Sequence, residues 1–310
     1  MALTLVESAK IAMGRDEVLK ATIMELYASN SDIVQYLPFE NISGNALTFN
    51  REQILPSVGF RGVNDSYTES TGKTNKITES LTIAGGDLDV DVFLVKTSGA
   101  DQRSVQEGMK IKSLSLSMAK TIIKGDVSSD SKSFDGLQVR STGDQLIAAG
   151  STSGGDALSL QKLDELIDST EDPTHLIMNK AMRRRLTQAA RNASVGGYIT
   201  YSQDEFGRRL TMYNELPILI ADKDNTKADI LPFTEACPGG GATGTSIYCV
   251  SFTDDGVIGL QNGDMDVRDM GEIDTKPVFR TRIEWYMTLA VLRERAFSRL
   301  WGIKDATVTA

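Results

Sequence analysis

The sequence predicts an α+β protein in which a flat body carries a projecting arm, and three observations lead there. Between two strand-like runs, ALTFN (46–50) and DLDVDVFLV (87–95), lies a stretch rich in Gly, Ser, Thr and Asn with little periodicity. Residues 101–124 repeat apolar side chains at helical spacing, over roughly 36 Å at about 1.5 Å per residue. Near the C-terminus, VFRTRIEWYMTLAV (278–291) alternates between apolar and polar along its whole length.

Composition narrows the function classes. Of 310 residues 40% are hydrophobic, enough for a sizeable core in one large domain or two joined ones. No run of apolar residues is long enough to span a bilayer. Glu7, Lys10, Arg15 and Asp16 break up the N-terminal segment, so neither a membrane span nor an export signal is expected. The net charge of −9 argues against a protein that grips a nucleic-acid backbone, because such proteins carry a basic excess that displaces counterions. It suits a protein that must not adhere to DNA, and equally many cytosolic enzymes. Cys237 and Cys249, with His175 as the only histidine, fall short of a zinc site, which needs about four ligands. The cysteines read as two free thiols.

In chain order, residues 16–29 have helical spacing through Leu19, Ile23, Leu26 and Tyr27, with Asp16 and Glu17 at the positive N-terminal end. Such a helix serves core packing or lies across a neighbouring chain. The 87–95 run sets Leu88, Val90, Val92 and Leu94 on one face and Asp87, Asp89 and Asp91 on the other. The aspartates suit a solvated face or a neighbour's arginines; a calcium loop lacks its glycine turn and glutamate. A coreless connection as long as 51–80 is uncommon in a compact domain. With strands at its roots it forms a two-stranded arm, and since an isolated hairpin is marginal in water, contact with another chain is expected. Ile111, Leu114, Met118 and Ile122 mark the apolar stripe of the long helix, and Gly125 its stop. Loops follow at 126–137 and 149–157. From 158 the pattern is mixed α/β: helix 158–170, strand 174–179, helix 180–192, strands between Tyr198 and Ala221, a glycine-rich flexible loop at 236–246 and a buried strand at 246–252. In 278–291, Phe279, Thr281, Ile283, Trp285, Met287, Leu289 and Val291 point one way; Arg280, Arg282, Glu284 and Tyr286 point the other. That strand is expected to pair with the base of the arm or with segments beside the long helix.

The runs YLPFENISGNALTFNRE (36–52), LPSVGFRGVN (55–64) and YTESTG (67–72), and the order of elements, resemble major capsid proteins of tailed bacteriophages with the Hong Kong 97-type capsid fold. The resemblance is most specific over residues 1–137. It implies an N-terminal arm (1–45), an extended β-hairpin loop (46–86) and a peripheral domain (87–144) with an antiparallel sheet and a spine helix (about 101–124). A mixed α/β axial domain (145–270) and a return to the peripheral domain (271–310, long strand about 278–291) complete it. It further implies a structural protein without cofactor, metal or catalytic residues. Copies assemble as hexamers and pentamers into an icosahedral shell around double-stranded DNA, without sequence-specific binding or membrane contact. Scaffolding, portal and decoration proteins are the implied partners, the virion is the implied location and host cytoplasm the place of assembly. No long scaffolding segment precedes the arm, so a separate scaffolding protein is expected. A bacterial cargo-enclosing nanocompartment is the alternative with the same fold. Inter-subunit contacts are expected at Arg51, Phe60, Arg61, Tyr67, Glu69 and Lys73 in the loop and at Arg183, Arg184 and Arg185 on the 180–192 helix. Successive helical residues are about 100° apart, so the three arginines cannot share one face. A nucleic-acid contact competes there with pairing to a neighbour's acids, and the second is preferred.

Catalytic readings are weaker. PILIADKDNT (217–226) ends a strand on Asp222-x-Asp224, as haloacid-dehalogenase-like phosphatases do, and Asp254 and Asp255 follow a second strand. The spacing leaves little room for the crossover that a parallel pair needs, and Asp and Asn are also ordinary turn residues. Gly239 to Gly244 have phosphate-loop spacing, but Thr245 stands where the lysine belongs. His175 has no Cys or Asp partner at a catalytic spacing and reads as structural.

Overall fold

The computed structural model describes residues 2–13, 18–98, 101–191, 199–204 and 206–309; Asp16, Glu17 and Tyr198 lie outside them, as does the Leu19 side chain. The chain begins with α1 (Leu5–Met13), α2 (Val18–Ser29) and α3 (Asp32–Tyr36). The buried face of α2 runs through Ile23, Met24, Tyr27 and Ala28, while Leu26 is exposed. The predicted stripe is thus shifted by part of a turn, because α2 meets two surfaces, α1 and the long helix. Tyr27 donates its hydroxyl to the Leu114 carbonyl at 3.3 Å and accepts at its own carbonyl from Ser115 Oγ at 2.7 Å. The N-terminal helices therefore pack on this chain's own body.

Next come β1 (Phe39–Asn41), β2 (Ala46–Ile54), β3 (Lys73–Ser80), β4 (Thr82–Asp91), α4 (Val92–Ser98) and α5 (Asp101–Lys124). Two expectations are corrected here. The partner of β2 is β3, in the register Phe49↔Ile77, and not the 87–95 run. KTNKITES carries no apolar alternation because neither face of a two-stranded ribbon is buried, so nothing in its pattern announces a strand. Residues 82–91 pair instead with the long strand at 278–291, and residues 92–98 turn helical. The Asp91 carboxylate starts that turn by accepting the Phe93 amide at 2.7 Å.

In α5, Ile111, Met118 and Ile122 are buried as the stripe requires, together with Ser115, Ala119 and Ile123. The helix stops at Gly125, where a Cβ would come within 2.2 Å of the Phe134 carbonyl oxygen, so no other residue fits.

After α6 (Leu137–Arg140) come β5 (Leu146–Ala148), α7 (Leu160–Ser169), β6 (His175–Met178), α8 (Lys180–Ala189), β7 (Ile199–Gln203), β8 (Arg209–Tyr213), β9 (Leu216–Ile220) and β10 (Thr245–Val250). The chain closes with β11 (Val257–Gln261), β12 (Asp266–Glu272), β13 (Val278–Val291) and β14 (Phe297–Ile303).

Two sheets share the core. β13 pairs with β4 over 278–287, with β12 over 279–284 and with β11 over 287–291, and β1 adds beside β11. Its predicted inner face holds: Ile283, Trp285, Met287, Leu289 and Val291 are buried. Trp285 sits between Tyr27 and Phe39, with ring centroids 5.5 and 4.8 Å away, and donates Nε1–H to Gln261 at 3.0 Å. Burying each such side chain contributes about 1.5–3 kcal/mol. The second sheet runs β5-β14-β10-β6-β9-β8-β7. One face carries α7 and α8, through Leu163, Leu166, Met182 and Leu186 against Leu176, Ile218, Ile247 and Leu300. Residues of the other face, Ile177, Leu219, Tyr248 and Val250, join the core around α5.

Candidate functional site

β2 and β3 form a ribbon from Ala46↔Ser80 to Ile54↔Lys73, and residues 55–72 connect them without a strand of their own. Every residue in that connection is exposed, among them the apolar Leu55, Val58, Phe60, Val63 and Tyr67. Arg61 stacks its guanidinium 5.1 Å from the Tyr67 ring centroid and donates to the Asp65 carbonyl at 3.2 Å. Of the expected contact residues, Phe60, Arg61, Tyr67 and Glu69 lie in this tip, and Lys73 opens β3.

Arg51 stands apart, near the root, donating to the Val291 carbonyl at 3.2 Å; burial lowers its pKa. The root is held by a pair that local pattern does not show. Arg140 forks onto Glu79 at 2.5 and 2.9 Å and also donates to the Leu289 carbonyl at 3.1 Å. Only their separation in sequence hides them, since a paired arginine and glutamate carry no spacing signal. The arm is thus fixed at its base and bare at its tip.

The helix arginines separate, as the 100° spacing requires. Arg185 pairs with Asp305 of its own chain at 2.8 Å. Arg183 and Arg184 open onto a cleft of about 570 Å³ shared with Arg191, Tyr201 and Arg209. The aspartate face of β4 is corrected in its partner. Asp89 takes a fork from Arg280 at 2.6 and 2.7 Å, and Asp87 one from Arg282 at 2.7 and 2.9 Å, across the β4–β13 ladder of the same chain. The hydrogen bonds from these guanidiniums hold both carboxyls below the usual range.

The phosphatase layout fails on geometry. β9 runs parallel to β6 while β10 runs antiparallel to it, so Asp222 and Asp254 leave opposite ends of the sheet. Asp222 pairs with Lys180. Asp224 is buried and closes its own turn, accepting from the Thr226 and Ala228 amides, the Thr226 hydroxyl and Lys120 Nζ. Burial pushes that carboxyl up, but the Lys120, Thr226 and Ala228 hydrogen bonds outweigh it and hold it well below the usual range. The glycine-rich loop is packed rather than open: a Cβ on Gly239 would meet the Ser151 carbonyl at 2.1 Å, and Gly240 accepts the Gly154 amide at 2.8 Å. Both cysteines are buried and free, and burial pushes the Cys249 thiol up to about 12. Among the described residues no three His, Cys, Asp or Glu side chains gather as metal ligands, and no helix is long and apolar enough to cross a membrane.

His175 lies between the rings of Tyr36 and Phe252, at 4.9 and 5.3 Å, with Nδ1 2.9 Å from the Thr174 hydroxyl. Burial lowers its pKa from 6.5 to about 4. The folded state then binds the proton more weakly than the unfolded chain, so this contribution to stability is complete above pH 6.5 and is lost as pH falls towards about 4. Urea unfolding across that window should show the decline, and His175→Phe should flatten it; an unchanged slope would locate the acid sensitivity elsewhere.

Residues 15–161 match the family described as major capsid protein GP7. No curated protein matches the chain. Among solved structures it is similar to the holo-SrpI encapsulin complex of Synechococcus elongatus, with TM-score 0.63, 17% identity, and 90% of this chain and 89% of that one covered. The capsid of a native GTA particle gives TM-score 0.62 and 15% identity over 89% of this chain and 90% of that one. Microbacterium phage Oxtober96 gives TM-score 0.61 and 13% identity over 90% and 91%. The fold is the Hong Kong 97-type capsid fold, and the matched family is one of structural capsid proteins, not of enzymes.

Proposed function

We propose that this chain is the major capsid protein of a tailed phage. In this reading copies join as hexamers and pentamers into an icosahedral shell enclosing double-stranded DNA, assembled in the host cytoplasm with separate scaffolding and portal proteins and, in some states, a decoration protein. The observation that carries this reading is the arm: a ribbon locked at its root by Arg140–Glu79, with an exposed apolar tip at Val58, Phe60 and Val63. Monomeric proteins rarely leave such a tip uncovered, and a shell supplies its cover from neighbouring copies. The net charge of −9 suits a wall that must not hold the packaged nucleic acid. A cargo-enclosing nanocompartment is the second reading, favoured by the likeness to the encapsulin complex. Size-exclusion chromatography with light scattering and electron microscopy tests both. Rings or closed shells are expected from the expressed chain, alone or with a scaffolding protein. Shells that need a scaffold and incorporate a portal favour the virus, and shells that close alone around a peptide-tagged cargo favour the compartment. A strict monomer under every condition would count against either.

A further inference from the structure

Four arginines line one cleft that no carboxylate lines among the described residues. The cleft lies at the β7 edge of the seven-stranded sheet, between α8 and the β7–β8 hairpin, and Lys180, Arg183, Arg184, Arg191, Tyr201 and Arg209 line it. Lys180 is held by Asp222, and Arg209 lies 3.6 Å from the centroid of the Tyr201 ring. Among the described residues Arg183, Arg184, Arg191 and Arg209 make no ion pair within 4.0 Å and no carboxylate lines this cleft, while Asp32, Asp204 and Asp222 line an adjoining cleft that Arg183 and Arg209 also border. The chain has 42 acidic against 33 basic residues. A cluster of arginines with no carboxylate among the described lining residues is a surface suited to an anion from a second chain.

The same layer of helices offers that anion on its other flank. α7 packs on β14 and β10, while the cleft is built on β8 and β7, four strands further along the sheet, roughly 19 Å at about 4.8 Å per strand. On α7, Glu165 and Asp168 are exposed and three residues apart, so they share one face, and Asp172 is exposed in the turn that follows the helix. Glu165 pairs with Lys162 on the helix surface, an exposed pair that exchanges at little cost, and Asp172 pairs with the half-buried Arg293. The layer is therefore basic on one flank and acidic on the other. A closed ring requires two different, complementary patches on every subunit.

We propose that the Arg183, Arg184, Arg191 and Arg209 cleft receives Glu165, Asp168 and Asp172 of a second copy, as the head-to-tail contact that closes a ring. This deepens the shell-building reading and rests on it. Arginine forks match carboxylates in paired geometry, and opposed patches set orientation and encounter rate more than raw affinity. A phosphate backbone offers the same chemistry, but a net charge of −9 repels a polyanion as a whole.

The test exchanges charges. Arg183→Glu with Arg184→Glu makes both flanks acidic, and Glu165→Lys with Asp168→Lys makes both basic. Each double variant is expected to keep the wild-type melting curve by circular dichroism and to form no rings by light scattering and electron microscopy. Mixed in equal amounts, the two regain opposed charges at every contact, but only by alternating. The mixture should therefore close even-membered rings and no odd ones, whereas a single chain carrying all four changes should close both. Folded arginine variants that assemble like wild type would overturn the contact, as would a mixture of folded variants that stays unassembled. If the wild-type chain binds a short DNA duplex, and the arginine variant loses that binding while still assembling, the cleft is a polyanion site and the proposal fails. A wild-type chain that forms no rings under any condition, with or without a scaffolding protein, sinks the shell reading itself, and this contact with it.

Discussion

Excision of residues 55–72, with β2 closed onto β3 through an Asn-Gly turn, leaves a folded subunit that no longer builds shells. The excised residues are all exposed, and of them Leu55 alone lines a cleft of the body, beside Leu292 and Arg293, so unfolding should change by no more than about 0.5 kcal/mol, as for other surface changes. The two-residue turn suits the twist of an antiparallel ribbon, and Arg140–Glu79 still holds the root. Assembly responds differently. Covering Phe60 and one of Val58 or Val63 on a neighbour is worth about 1.5–3 kcal/mol per side chain. Losing two of them weakens each contact by at least about a hundredfold, and every subunit loses that contact at once. Light scattering across a concentration series reads the effect, and normal shells from the excised chain would overturn the arm's role.

Glu235→Ala is expected to cost about 3–5 kcal/mol, the range for removing one partner from a buried ion pair. Glu235 is buried between two cations: Lys124 Nζ at 2.9 Å from the end of α5, and Arg299 Nη2 at 3.1 Å from β14. Ser246 on β10 donates its hydroxyl to the same carboxylate at 2.5 Å and accepts from Arg299 Nε at 3.0 Å. One side chain thus ties the long helix to two strands of the seven-stranded sheet. Without it Arg299 remains charged and buried, whereas Lys124 reaches water. Urea unfolding measures the loss. A cost below about 1 kcal/mol would mean that Arg299 finds another counter-charge, since a typical single hydrogen bond contributes about that much.

Much of the architecture was legible. Alternation along 278–287 gave the two faces of β13, because a strand with one buried face must alternate, while over 287–291 a second layer buries the other face as well, through Thr288 and Ala290. The stripe through Ile111, Met118 and Ile122 and the stop at Gly125 described α5 for the corresponding reason. The coreless stretch after residue 50 announced the arm. The candidate site was legible by region more than by residue: Phe60, Arg61, Tyr67 and Glu69 lie in the exposed tip, whereas Arg51 turns back to the body and Arg185 pairs with Asp305.

Burial that repeats along the chain can be read from residues alone: it marks the long helix and the long strand, and its absence marks the arm. Folding chose who meets whom. It paired β2 with the polar β3, gave Asp87 and Asp89 to Arg282 and Arg280 far along the chain, locked the arm through Arg140 and Glu79, and gathered four arginines along one cleft that no carboxylate lines among the described residues. Periodicity reports that a face is buried, but the identity of a partner depends on which distant strands come together. Charge pairs and ribbons with no buried face leave no period to read.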